Sequence, residues 1–235
     1  IMSSIPLYPA FDPELGLQMS PTDISQFVRL DQCQRYLRLR MHLRTDGIRF
    51  LTDYGVAPQA IPPLLRQSGA KFEGMVGQDV PHEDLSIGRG KNPDPDNARV
   101  IERAQQLRLG EHCTLTQPRL RVRVGDWLLR GDIDILRLER DEHGRLHALI
   151  VDMKASRATK VEHRLQVTFY LEMLETLFEE AGVILDSTEI GILYRGPAAI
   201  PDDLSSEGRL ELEGQREEAF ERLGAATGFL EIVSN

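Results

Sequence analysis

The stretch Gly131-Asp132-Ile133-Asp134-Ile135-Leu136, followed downstream by Leu149-Ile150-Val151-Asp152-Met153-Lys154, decides how the chain reads. Side chains alternate across a strand, so Asp132 and Asp134 are expected on one face, with Ile133 and Ile135 on the other. The same alternation puts Asp152 beside Lys154 and turns Val151 and Met153 the opposite way. The turn signal Asp141-Glu142-His143-Gly144 lies between two strands, Trp127 to Leu138 and Arg145 to Lys154, and pairing across it brings Asp134 near Asp152. Two carboxylates on adjacent strands repel unless a cation lies between them, and hard divalent ions such as Mg²⁺ take oxygen ligands in this way. A lysine two residues from such a pair suits phosphodiester hydrolysis, where charge developing on the phosphate needs positive, donor-rich surroundings.

Downstream, the periodicity predicts a long helix over about 160–181, a strand at Glu189 to Tyr194 ended by Gly196-Pro197, and an acidic helix over about 207–223. On the long helix His163, Gln166 and Tyr170 fall near one face. Gln166 is placed to orient the attacking water or the lysine, and Tyr170 offers a donor for a phosphate oxygen or a base. Upstream, Leu115, Leu120, Val122 and Val124 belong to paired strands, preceded by a helix near 96–109 and a loop from Pro81 to Asn97. A helix over 62–80 groups Leu65, Phe72, Val76 and Val80 and carries Glu73, with Gly69 and Gly77 four residues to either side. Three prolines within Ala57 to Pro63 break the pattern before it. Ser20-Pro21-Thr22-Asp23 supplies an N-cap, a proline at the first helical position and an acid at the third, which predicts one helix over 21–44. Its apolar positions Ile24, Phe27, Val28, Leu30, Leu37 and Leu39 would be partly buried, leaving the arginines mostly outward.

The ordered set Gly131-x-x-Asp134, Asp152-x-Lys154 and Gln166-x-x-x-Tyr170 resembles the signature of the RecB-like nucleases of the PD-(D/E)xK superfamily. The similarity spans about residues 20–195 and includes the opening helix, with Cys33 and Tyr36-Leu37, and the upstream helix acid at Glu73. The resemblance implies a restriction-endonuclease-like α/β fold: a central mixed β-sheet flanked by helices in the order αβββαβ, with an added N-terminal helical region. It implies that Glu73, Asp134, Asp152 and the backbone carbonyl of Met153 bind Mg²⁺ or Mn²⁺, that Lys154 is catalytic, and that Gln166 and Tyr170 support it. Asp132 reads as a solvated or hydrogen-bonded neighbour, with a place in the metal site the alternative. CRISPR-associated four-cysteine relatives hold an iron-sulfur cluster; Cys33 resembles their early cysteine. No cysteine follows Cys113, so this chain alone supplies no such cluster.

The 235 residues suit a single nuclease domain over 1–235: a helical region at 20–56, a core at 59–195 and an acidic segment at 196–235. The formal net charge of −9 argues at face value against a polyanion partner, yet residues 172–235 carry −11 and residues 1–171 carry +2. Arginines cluster at Arg35, Arg38, Arg40 and Arg44, and again at Arg119, Arg121, Arg123 and Arg130. Arg121, Arg123, Arg130 and His163 are the candidate nucleic-acid contacts. No apolar run approaches the roughly 20 residues that cross a bilayer, no signal-like segment opens the chain, and two cysteines suit a reducing, cytoplasmic setting. The expected function is metal-dependent DNA hydrolysis in repair, recombination or defence, with a helicase or other nucleic-acid-processing subunit as a possible partner. A non-catalytic nucleic-acid-binding or assembly module and an RNase are the alternatives.

Overall fold

The computed structural model describes residues 17–45, 63–90, 94–201 and 203–233, without the side chains of 42–45. The proline break at 57–62, the helical region beyond 45 and the side chain of Arg44 lie outside the described residues.

A short strand β1 (Leu17–Met19) leads into α1 (Pro21–Arg29) and α2 (Gln34–Thr45), where one continuous helix was expected. The helix breaks because Asp31 and Gln32 both take left-handed backbone, with φ of 54° and 56°, which cannot continue a right-handed helix. The chain doubles back so that Arg40 of α2 donates from Nε to Asp23 Oδ1 of α1 at 3.0 Å. Asp23 is fully buried, and its other oxygen accepts the N–H and Oγ–H of Ser20. Arg40 therefore turns inward, whereas Arg35 and Arg38 are exposed as expected.

The next elements are α3 (Pro63–Asp79), β2 (Glu83–Asp84), α4 (Asn97–Gln106), β3 (His112–Thr116), β4 (Arg119–Val124), β5 (Trp127–Asp132) and β6 (Ile135–Arg140). Then follow β7 (Leu146–Lys154), α5 (Val161–Glu180), β8 (Ser187–Tyr194), α6 (Ser206–Leu223) and β9 (Phe229–Val233). Six strands form a mixed sheet in the order β2-β3-β6-β7-β8-β9, in which the β2–β3 and β7–β8 pairs are parallel and the β3–β6, β6–β7 and β8–β9 pairs antiparallel. The parallel β7–β8 step is made through α5, as a parallel pair requires a crossover. Three further strands, β1-β5-β4, form a separate small sheet. Among the described residues no helix is long and apolar enough to cross a membrane.

Helices cover both faces of the large sheet, which explains why β7 reads as a nearly continuous apolar run. Ala148 and Ile150 face the core shared with α4 and α5, including Val100, Ala104, Val167 and Met173. Leu149, Val151 and Met153 face the opposite core, with Phe72 and Val76 of α3 and Ala219 and Leu223 of α6. Leu65, expected on the buried face of α3, is exposed. The acidic tail helix is present as α6, capped by Ser205, whose hydroxyl accepts the Gly208 N–H, and it packs on the sheet through the buried Ala219 and Leu223.

The segment from Trp127 to Leu138, expected as one strand, is cut at Ile133-Asp134. Its first half belongs to the small sheet and its second half to the large one. Alternation across the cut therefore fails: Ile133 and Ile135 are both fully buried, but in different cores.

Candidate active site

Asp134 sits at this cut, and the antiparallel register pairing Ile135 with Val151 sets it opposite Asp152. Its carboxylate is held from two sides: Oδ2 accepts the backbone N–H of Met153 at 2.6 Å, and Oδ1 accepts Nε2 of Gln117 at 3.1 Å. Asp152, near the end of the central strand β7, has a side chain only 1% exposed. Gln166 of α5 donates from Nε2 to Asp152 Oδ1 at 3.0 Å. Lys154 Nζ lies 2.5 Å from Asp152 Oδ2 as an ion pair. Burial, and then the negative Asp134 beside it, push the Asp152 carboxyl up to about 7 against the opposing pull of Lys154.

The remaining expected residues distribute unevenly around this pair. Glu73 on α3 is exposed, but burial and the charge of Asp134 still raise its carboxyl, with Lys154 pulling the other way, so it stands within electrostatic reach of both. Tyr170 does not face solvent. Its hydroxyl donates to the backbone carbonyl of Asp132 at 2.6 Å and its side chain is buried, so it props the strand rather than offering a hydroxyl to a phosphate or base. His163 lies half-buried one turn before Gln166. Arg121 and Arg130 are direct cross-strand partners in the small sheet, and Arg123 is exposed two residues along β4.

Asp132 resolves in favour of the hydrogen-bonded reading. Arg119 grips it with Nε and Nη2, both at 2.9 Å, and Arg89 Nη1 stands 3.6 Å from Oδ2. Its charge is compensated on the small sheet, away from Asp134, because the strand breaks between them.

Sequence reasoning missed Gln117, Arg89 and Asp96. Arg89 donates from Nη2 to Asp96 Oδ2 at 2.5 Å and to the Gln117 carbonyl at 2.6 Å, and Asp96 also accepts the Arg119 N–H. Pro118 interrupts the strand pattern, but nothing local says that the turn before it touches Asp134.

The donor set fits a hard divalent ion. Two aspartates face each other, and burial together with the charge of Asp134 raises the Asp152 carboxyl, the marks of an oxygen-donor pair suited to a cation. Lys154 supplies one positive charge there. Among the described residues no three His, Cys, Asp or Glu side chains are drawn together as a ready-made cage. Glu73 thus stands near the pair without closing around it.

A mixed α/β sheet with helices on both faces, an aspartate at a strand break and an Asp-x-Lys strand end define a protein of the restriction-endonuclease-like class. Residues 80–227 match the family model of the PD-(D/E)XK nuclease superfamily, and the chain belongs to that superfamily. Its members are nucleases and generally use divalent metals, typically Mg²⁺ or Mn²⁺. No curated protein matches the chain. Among solved structures, one titled "Crystal structure of SSO0001" is 14% identical, with 87% of this chain and 76% of that chain covered at a TM-score of 0.33.

Proposed function

We propose that this chain is a DNase of the RecB-like branch, related to the CRISPR-associated nucleases but without their cluster, acting in the cytoplasm in repair, recombination or defence beside a helicase or similar subunit. The observation that carries the catalytic part is the facing pair Asp134 and Asp152 with Lys154 ion-paired to the second. In this reading Asp134, Asp152, Glu73 and the carbonyl of Met153 hold Mg²⁺ or Mn²⁺. The ion, when bound, activates water and neutralises charge on the leaving oxygen. Lys154, whose ammonium lies 2.5 Å from Asp152 Oδ2, would stabilise the charge developing on the phosphate. Gln166 keeps the Asp152 carboxylate turned toward Asp134. Tyr170 holds the strand break in place through the carbonyl of Asp132. Arg121, Arg123, Arg130 and His163 line the approach of the nucleic-acid backbone.

The test is cleavage of plasmid, single-stranded DNA and matched RNA with Mn²⁺, Mg²⁺ or chelator. Activity should need the divalent ion and fall about 10²- to 10³-fold in Asp152→Ala and Lys154→Ala, on the scale that loss of a charge-stabilising group costs. Undiminished cleavage by either variant would refute the assignment. DNA binding without cleavage or metal uptake would instead mark a binding module, and preference for RNA would mark an RNase.

A further inference from the structure

Gln117 occupies the turn between β3 and β4 with φ of 54°, one of three non-glycine residues with positive φ among the described residues. Such backbone costs a non-glycine residue free energy and persists only where its surroundings impose it. Here the surroundings are explicit. The Gln117 N–H donates to the carbonyl of Asp134 at 3.1 Å, the Ile133 N–H donates to the carbonyl of Pro118 at 3.0 Å, and Arg89 Nη2 anchors the Gln117 carbonyl at 2.6 Å. Arg89 is itself fixed, its side chain 10% exposed and paired with Asp96. The turn is thereby zipped onto the strand break that carries Asp134, and the left-handed backbone aims the Gln117 amide at Asp134 Oδ1.

The chemistry of the donor matters. An arginine fork compensates the neighbouring Asp132, whereas Asp134 receives, among the described residues, hydrogen bonds from neutral donors, one side-chain amide and one backbone N–H. Neutral donors orient a carboxylate without discharging it. Asp134 is thus held in a fixed orientation without an arginine fork of its own, which leaves its carboxylate placed to ligate a cation.

We infer that Gln117 is a positioning residue that sets the Asp134 carboxylate for a divalent cation, with the Arg89–Asp96 pair holding its strained backbone. This rests on the reading of Asp134 as a metal ligand. Hydrogen-bonding partners of metal-ligating side chains typically contribute about 10- to 100-fold in metal affinity.

The experiment is calorimetric titration of the full chain with Mn²⁺, without nucleic acid, for wild type, Gln117→Gly and Gln117→Ala, alongside metal-free melting temperatures. Glycine adopts this backbone freely, so Gln117→Gly should melt no lower than Gln117→Ala. Both variants lose the same amide, so both should bind Mn²⁺ with a dissociation constant raised at least about tenfold. Wild-type affinity in Gln117→Gly would overturn the inference, as would a loss confined to Gln117→Ala that follows its lower melting temperature. A wild-type chain that takes up no Mn²⁺ would overturn the metal reading of the acid pair, and Gln117's role with it.

Discussion

His163 lies three residues before Gln166, where burial first and the Lys154 ammonium second push its imidazole down to about 4. Its buried Nδ1 has no hydrogen-bond partner among the described residues. The side chain is therefore neutral at physiological pH in the folded chain, and as a substrate contact it acts as an uncharged donor or acceptor rather than as a cation. In the unfolded chain it takes up a proton near 6.5, so between about 4 and 6.5 the unfolded state binds more protons. The corresponding stability is complete above about pH 6.5 and is lost as pH falls toward 4. Denaturation from pH 4 to 7 should show this slope, and His163→Gln should flatten it by on the order of 1 kcal/mol once solvent screening is allowed for. A proton NMR titration of His163 with a midpoint near 6.5 would contradict the burial argument. At the same scale, Asp132 and Asp134 show how two acids two residues apart acquire opposite roles, one clamped by Arg119 and the other held by neutral donors.

Three elements meet at Gly131: β5, which carries it, the start of α1 and the middle of α5. A Cβ on residue 131 would lie 2.7 Å from Cε1 of Tyr170 and 3.1 Å from Cγ of Pro21, closer than packed carbons tolerate. The glycine that opens the Gly-x-x-Asp motif therefore serves the packing of α5, and through it the hydrogen bond from Tyr170 to the Asp132 carbonyl. Gly131→Ala is expected to destabilise the fold by about 1–3 kcal/mol, as overpacking does, and to loosen the strand break before Asp134. Urea denaturation measures the first effect. The motif residues Gly131, Asp134 and Tyr170 were legible as a set from spacing and resemblance, but the division of labour among them was not. It depends on which helix face meets which strand, and spacing within one element carries no such information. The same holds for α1 and α2, where a well-marked N-terminus predicted the start, while the break at Asp31-Gln32 uses residues that carry no glycine or proline signal.

At the scale of the whole molecule the net charge of −9 is a poor guide to partners, because acidity concentrates in the final quarter of the chain. The small sheet sets Arg121 directly across from Arg130, four residues before Asp134, or about 13 Å along an extended chain. If a nucleic-acid backbone follows this sheet toward the acid pair, each phosphate contact contributes about one unit to the salt dependence. Arg130→Ala should lower the slope of log affinity against log salt by about 1, measured by fluorescence anisotropy with a labelled oligonucleotide under chelator. An unchanged slope would remove Arg130 from the path. What the sequence determined by itself was the α/β class, the central apolar strand, the amphipathic helices and the face shared by Asp152 and Lys154, because periodicity and alternation are local properties of the backbone. Only the tertiary structure decided that the strand breaks at Asp134, that Tyr170 turns inward, that Glu73 stands near the acid pair without closing on it, and that Gln117 reaches Asp134 from a distant turn. Those outcomes follow from sheet register and from contacts between residues far apart in the chain, which no local pattern encodes.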